Sequence, residues 1–477
     1  MKSISTKTFF KRSTLAAAIL VLAGCASVNI DETVADTNNA NSTFTGGKLE
    51  LSRTDQQRQA RSKLSKELLA KPLSMDDAVQ LALTNSPAVQ TLLAQSWADM
   101  AQANQNGRIS NPLFTFERIT FGNELEIGRL LSFGLLDLLT LPRRMSIAQG
   151  QVAQARVQLT SSVVDQVTQV RQAWVRAVAA QQLLQYANQV NASAQASAEL
   201  ARRMQQVGNF SKLQRARQQA FYADSVAQLA SSQHAATAAR EELTRLLGLT
   251  DEQAGQLKLL ERLPDLPKEA RQSAAVSTTA TGQRLDVQMA RMQLDAAGQS
   301  QGLNLITSLV DVELGIRRDT VFDNAEGTST PRKGYELGIR LPIFDWGSAK
   351  RDAMNAQSLA AANRYEGTVR GASSQLRESY SAYRTAYDVA KHYRDEIVPL
   401  RKAMSDEITL LYNGMFISVF ELLADMRDQV SSVTAAINAS QQFWLADAAL
   451  AASITGKPIS TAMSAPAASG SGAAGGH

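Results

Sequence analysis

The side chains able to do chemistry are few. In 477 residues there is one cysteine, Cys25, and there are three histidines, at 234, 392 and 477. A single thiol rules out an internal disulfide framework, and three scattered imidazoles argue against a His-rich metal site. Neither His234 nor His392 has a second histidine four residues on, so each reads as a side chain on a polar helix face. No Gly-rich phosphate loop, His-Glu-x-x-His helix or nucleophile elbow occurs. The twelve methionines are dispersed and read as helix packing rather than a copper relay. The chain therefore reads as mechanical rather than enzymatic, with no cofactor and no metal. The one reaction its sequence points to is acylation of the thiol.

Residues 1–24 carry the three parts of an export signal. A start bearing Lys2, Lys7, Lys11 and Arg12 precedes the apolar run Leu15 to Leu22, and small residues follow. The run is too short to span a bilayer. It ends in Leu22-Ala23-Gly24-Cys25, which resembles a bacterial lipoprotein box, with cleavage before Cys25 and acylation of that residue. Several acyl chains anchor stably where one does not. Ala26 after the cysteine implies the outer membrane. No later stretch reaches the length of a transmembrane helix. The leader holds four of the 49 basic residues and none of the 44 acids, so most of the net charge of +5 lies within it. That charge is no argument for nucleic acid.

Such a chain needs elements that carry it into or through a membrane. Residues 25–72, rich in Asn, Thr, Ser and Gln, read as a lipid-anchored tether with some helix near 55–70. Ser74 and Asp77 have capping-box spacing and open a helix. Between Pro142 and Pro264 there is no proline, and Val152, Leu159, Val163, Val167, Val170, Trp174 and Val178 form one apolar stripe at helical steps. A helix from Arg143 to Val207 would run on the order of 100 Å. It breaks at Val207-Gly208-Asn209-Phe210, a hairpin tip, and a second helix continues to about Gly248. Residues 264–283 read as a linker, and 457–477 as a disordered tail rich in Ala, Gly and Ser.

The plan then recurs. Val89-Gln90, Gln95 and Ala98 match Val287-Gln288, Gln293 and Ala296 at an offset of 198. Each helix is followed by two strand-like segments. These are Leu113–Ile119 and Glu124–Phe133 in the first half, and Leu309–Ile316 and Tyr335–Leu341 in the second. Each pair leads into a long helix that ends near a glycine, Gly208 or Gly414. The divisions expected are thus 73–263 and 284–456. In the second half Val310, Val312, Leu314 and Ile316 alternate with charged or small residues, as do Tyr335, Leu337, Ile339 and Leu341. A half-buried soluble sheet gives the same pattern, but an export signal and an acylated cysteine favour membrane strands. Four strands cannot close a barrel, and open edges are not tolerated in hydrocarbon, so several chains must share one. The register of the first pair is uncertain, with Arg118 and Arg129 near its apolar faces. Trp97, Trp174 and Trp444 read as helix packing, and Phe344 and Trp346 as an interfacial aromatic girdle.

These features resemble the TolC family of outer-membrane efflux proteins, in its lipoprotein branch, over roughly residues 73–456. Leu73-Ser-Met-Asp-Asp-Ala-Val-Gln-Leu-Ala-Leu-Thr-Asn-Ser-Pro87 is similar to the family's opening helix and turn. Leu341-Pro-Ile-Phe-Asp-Trp-Gly347 is similar to its strand-to-helix passage. Val207-Gly-Asn-Phe-Ser211 and Asn413-Gly-Met-Phe-Ile-Ser418 resemble the tips that meet a periplasmic adaptor. The resemblance implies a mainly α chain with a small β part, four transmembrane strands in a trimeric, shared twelve-stranded β-barrel, two internal repeats and a long coiled-coil-like helical tunnel. It implies a homotrimer that touches the outer-membrane lipid, a periplasmic adaptor (membrane fusion) protein and an inner-membrane pump. The adaptor-contacting residues would be Val207, Gly208, Asn209, Phe210, Ser211, Gly414, Met415, Phe416 and Ser418.

The sequence departs from the family where carboxylates narrow the tunnel entrance, since Phe420 and Leu423 stand at the spacings expected for acids. Glu421, Asp425 and Asp428 are either the replacement gate or solvated helix charges. Lys212, Arg215 and Arg217 could pair with Glu421 and Asp425 across a closed, salt-labile tip. The function implied is a passive exit duct of a tripartite efflux or secretion system. Its rivals are a structural coiled-coil outer-membrane lipoprotein that never spans the bilayer, and a cell-wall enzyme, for which no acid, His or Cys constellation exists.

Overall fold

The computed structural model describes residues 29–272, 284–307, 311–323, 325–340, 343–344 and 346–458. The leader, Cys25, the second half of the expected linker and nearly all of the expected tail lie outside the described residues. The chain is mostly helical with one small antiparallel sheet. In order, the elements are α1 (Ile30–Thr45), α2 (Asp55–Leu69), α3 (Met75–Asn85), α4 (Pro87–Asn106), β1 (Leu113–Phe121), β2 (Glu124–Gly134), α5 (Leu135–Gln206), α6 (Lys212–Leu247) and α7 (Asp251–Gln256). There follow α8 (Leu285–Thr307), β3 (Asp311–Asp323), β4 (Thr328–Arg340), α9 (Ser348–His392), a π turn (Tyr393–Ile397), α10 (Val398–Asn413) and α11 (Val419–Thr455).

Two compact units share these elements. The first takes its described residues from Met1–Thr33, Ala94–Leu159 and Gln288–Gly367, and contains the sheet. The strand order is β1-β2-β3-β4 with every neighbour antiparallel. β3 and β4 are each 13 residues long, beyond the segments expected from alternation. The extension runs through Arg317 to Asp323 and Thr328 to Gly334, where polar residues occupy both faces and periodicity gives no signal. Hydrogen-bonded pairing continues regardless, to Asp323 opposite Thr328 at the turn.

The second unit comprises Val34–Leu93, Thr160–Val287 and Thr368–His477. The apolar stripe of α5 is its core: Val163, Val167, Val170, Trp174 and Val178 are all at most 1% exposed. Ala173, Val175, Ala177 and Ala179 are buried as well, so the helix is enclosed on every side here. Trp174 donates its indole N–H to the Leu73 carbonyl at 2.9 Å. A second cluster joins α9 to α11, with Phe443 packed between Tyr383 and Tyr387 at centroid distances of 5.6 and 5.7 Å.

Several expectations need correction. α5 begins at Leu135, not after Pro142, which lies inside the helix. The second long helix is interrupted by the π turn and by Pro399 at the start of α10. In the expected tether the helix near 55–70 is present as α2, but α1 precedes it and Ile30, Val34, Leu49 and Leu51 are buried. The segment's amide-rich composition has a structural use. Asn38 exchanges hydrogen bonds with both the N–H and the carbonyl of Leu49, at 2.8 and 3.1 Å. From α4, Gln90 accepts from the Ser52 N–H and donates to the Glu50 carbonyl of this segment, at 2.9 and 2.8 Å. The described part of the expected linker is likewise held: Tyr387 donates to the Pro267 and Lys268 carbonyls, and Trp444 to that of Pro264.

Candidate functional site: a two-faced sheet and two hairpin tips

The register settles which side chains share a face of the sheet, because directly opposed residues in antiparallel strands point the same way. Phe114 opposes Leu131, Leu131 opposes Ile316, and Ile316 opposes Tyr335. Toward the helices the same face continues with Phe133, Leu314, Leu337, Val312 and Ile339. Phe114, Ile316, Tyr335, Leu337 and Ile339 are all at least 47% exposed. The opposite face holds charges of both signs. Arg317 donates to Asp319 at 2.8 Å and reaches across β2 to Glu117 at 3.0 Å. Gly128 makes that reach possible: a Cβ there would stand 3.2 Å from Asp319 Oδ1 and 3.4 Å from the Arg317 guanidinium. Arg118 and Arg129, of uncertain register from sequence, lie on the apolar face, opposite Ile127 and Phe116. Past the sheet, Phe344 and Trp346 are 98% and 64% exposed.

The two tips, both in the second unit, have one backbone plan. In the first, Gly208 N–H donates to Gln205 O at 3.2 Å and Asn209 N–H to Met204 O at 2.8 Å. In the second, Met415 donates to Tyr412 O and Phe416 to Leu411 O, both at 2.9 Å. Each pair of bonds forms a Schellman closure, which needs a left-handed residue after the helix. That residue is Gly208 (φ 83°) in the first tip and Met415 (φ 62°), not Gly414, in the second. Ser211 and Ser418 then cap α6 and α11 by accepting from the N–H groups of Gln214 and Glu421. Val207, Met415 and Phe416 are exposed, whereas Phe210 is turned inward at 9%.

The acids beyond the second tip are not grouped. Asp428 pairs with Arg401 at 3.4 Å. Asp425 is buried, and its Oδ2 has no hydrogen-bond partner among the described residues. No ion pair within the chain joins Glu421 or Asp425 to Lys212, Arg215 or Arg217 among the described residues. What links the two hairpins near their tips is Arg427, whose guanidinium stands 4.6 Å above the Phe221 ring. Neither partner carried a sequence signal, since the contact follows from the packing of α6 on α11. Elsewhere in the unit, Arg202 and Arg203 hold the Glu199 carboxyl down to about 2. Burial pushes the Asp447 carboxyl up, against the pull of Arg271 at 3.0 Å. No group of three His, Cys, Asp or Glu side chains that could hold a metal occurs among the described residues. No described helix is long and apolar enough to cross a membrane.

The comparisons with known proteins agree with this geometry. Residues 276–453 match the family model described as outer membrane efflux protein. No curated protein matches. Among solved structures, a membrane protein from Pseudomonas aeruginosa superposes with TM-score 0.67 at 20% identity, covering 80% of this chain and 93% of that one. The outer membrane protein VceC of Vibrio cholerae gives 0.66 at 15% identity, covering 80% and 96%. The Campylobacter jejuni CmeC outer membrane channel gives 0.67 at 14%, covering 86% and 89%. The likeness read from the sequence is thereby shown: over residues 276–453 the chain matches the outer membrane efflux proteins, and its fold is that of TolC-like outer-membrane channels.

Proposed function

We propose that the protein is the passive outer-membrane exit duct of a tripartite efflux or secretion system. The observation that carries the reading is the sheet, whose strands of 9 to 13 residues match a bilayer crossing. One of its faces is broadly apolar and exposed, and the other is charged. β1 and β4 end the sheet with unpaired edges, which hydrocarbon does not tolerate. Three copies joined edge to edge form a twelve-stranded barrel with apolar faces in lipid and the Glu117, Arg317 and Asp319 side in water. The order helix, two strands, long helix, tip, helix occurs twice, which supports two internal repeats. Cys25 carries the acyl anchor and the helices form the periplasmic conduit. The tips at Val207–Ser211 and Gly414–Ser418 meet a periplasmic adaptor, and an inner-membrane pump supplies the energy. Glu421 and Asp428, both exposed, guard the entrance together with Asp425, which is buried behind them. No catalytic step, cofactor or nucleic acid enters this scheme.

Reconstitution of the full chain into planar bilayers tests it. Discrete conductance steps from a crosslinked trimer are expected. A monomer without conductance would instead establish the lipoprotein that does not span.

A further inference from the structure

The two hairpin tips share a backbone plan and carry opposite charge. Between Glu199 and Asp224, across the first tip, the chain has five basic residues and no acid: Arg202, Arg203, Lys212, Arg215 and Arg217. Between Lys402 and Arg427, across the second, it has four acids and no base: Asp406, Glu407, Glu421 and Asp425. All nine except Asp425 are exposed. Little of this charge is met within the chain. Arg202 and Arg203 share Glu199, and Arg215 donates to Gln205 Oε1 at 3.0 Å. Lys212, Arg217, Asp406, Glu407 and Glu421 have no ion-pair partner among the described residues.

Helix stability does not account for the pattern. The N-terminus of a helix is the positive end of its dipole and favours acids. α11 follows that rule with Glu421 in its first turn. α6 breaks it, opening on Lys212 with no acid in the first turn and Arg215 directly after. Beside each charged stretch stand apolar side chains that the chain leaves uncovered. Val207 and Leu213 in the first tip, and Leu410, Met415 and Phe416 in the second, are all at least 63% exposed. An apolar centre with a charged rim is the anatomy of a protein contact.

We infer that the tips dock on two unlike sites of one partner protein, the first on an acid-rimmed apolar socket and the second on a base-rimmed one. The inference rests on the reading that the tips meet a periplasmic adaptor, and it assigns that adaptor its charge at each contact. Opposite charges across a contact speed the encounter and fix its register, and like charges reject the wrong site. Without them a shared backbone plan would let either tip take either site. The exposed apolar ends favour a separate protein over side-by-side pairing of tips in neighbouring copies, which would engage the charges and leave those ends in water.

Designed helical hairpins serve as probes. Three share one apolar tip, and their flanking positions are all Glu, all Lys or all Gln. Their affinity for the full-length trimer in nanodiscs is measured by biolayer interferometry at low and high ionic strength. The Glu hairpin should lose about tenfold when the first tip is neutralised (K212Q, R215Q and R217Q together) and nothing when the second is (D406N and E407Q together). The Lys hairpin should do the reverse, losing about fivefold with the second tip only. High salt should weaken both charged hairpins and spare the Gln hairpin. Equal binding of the Glu and Lys hairpins overturns the proposal, as does a neutralised tip that weakens both alike. Binding that appears only at high salt overturns it in favour of tips that cover one another in neighbouring copies. Should a neutralised trimer fail to assemble, Lys212→Glu and Glu407→Lys separately give the same decision at about threefold each. A conducting trimer that binds none of the hairpins overturns the docking role of the tips and leaves the duct standing. A protein that does not conduct refutes the duct reading itself.

Discussion

Two junctions in the second unit meet the same packing need with opposite chemistry. In each, a long helix ends on a glycine of positive φ that seats against the first residues of a shorter helix. Gly248, after α6, abuts Ser86 and Pro87 at the start of α4, and Gly456, after α11, abuts Arg284 and Leu285 at the start of α8. The first junction is neutral. Asn85 donates its side-chain amide to the last carbonyls of α6, Leu247 at 3.2 Å and Gly248 at 2.9 Å. Pro87 opens α4, where its missing N–H costs nothing. The second junction is charged. The Arg284 side chain is fully buried, forks onto Asp286 at 2.8 and 3.1 Å, and donates to the Ala372 carbonyl and to Gln375. An amide can be lost from such a place at modest cost, but a buried guanidinium is tolerable only while every partner stays.

The difference is sharpest when each junction loses its polar anchor. Arg284→Ala leaves Asp286 without its cation and the Ala372 carbonyl with only its helix donor, and should cost about 3–5 kcal/mol. Asn85→Ala leaves two carbonyls that helix ends can share with water, and should cost about 1–3 kcal/mol. Urea unfolding midpoints of the two variants measure both. Equal losses would remove the distinction. Replacing the pair together, Arg284→Met with Asp286→Asn, should recover most of the larger loss, because a buried ion pair is costly mainly when half of it remains.

How legible this was in the sequence follows from the same residues. The matches from Val89 and Val287 onward located both short helices, and the valine stripe located the core of α5, because each is a local periodic pattern. The burial of Arg284 was not legible. It sits beside a Ser/Thr/Ala run that reads as linker, and the carbonyl that captures it comes from Ala372, 88 residues away. Asn38 misled for a related reason: an amide that holds extended backbone has the composition of a tether. At the sheet, apolar alternation gave the strands up to Ile316 and then failed, since backbone pairing needs no apolar side chains. At the tips the glycines were found, but only one of them bears the left-handed turn.

The glycines that close the two junctions should behave alike, whatever the polar chemistry beside them. A Cβ on Gly248 would stand 2.4 Å from Pro87 Cδ and 2.7 Å from Ser86 Cα; one on Gly456 would stand 2.6 Å from the Leu285 nitrogen. Their φ values of 65° and 97° add backbone strain for any side chain. Gly248→Ala and Gly456→Ala should each cost about 2–4 kcal/mol, read as a lowered thermal midpoint. A large loss at one and none at the other would show that the two seats are not the same device.

The smallest effect is expected at the tips, where the roles are reversed and the second hairpin is the one out of place. Gly208 takes the left-handed position without penalty, and Met415 takes it with a side chain that is 92% exposed and so has no packing to repay the strain. Met415→Gly should therefore stabilise the closure by about 1 kcal/mol, raising the thermal midpoint slightly, while Gly208→Met should lower it by a similar amount. A methionine kept in a strained, fully exposed position is better explained by what it touches than by what it holds together. Reconstituting Met415→Gly with its adaptor separates the two: a more stable protein that couples less well places the value of Met415 in contact, and one that couples equally well places it nowhere.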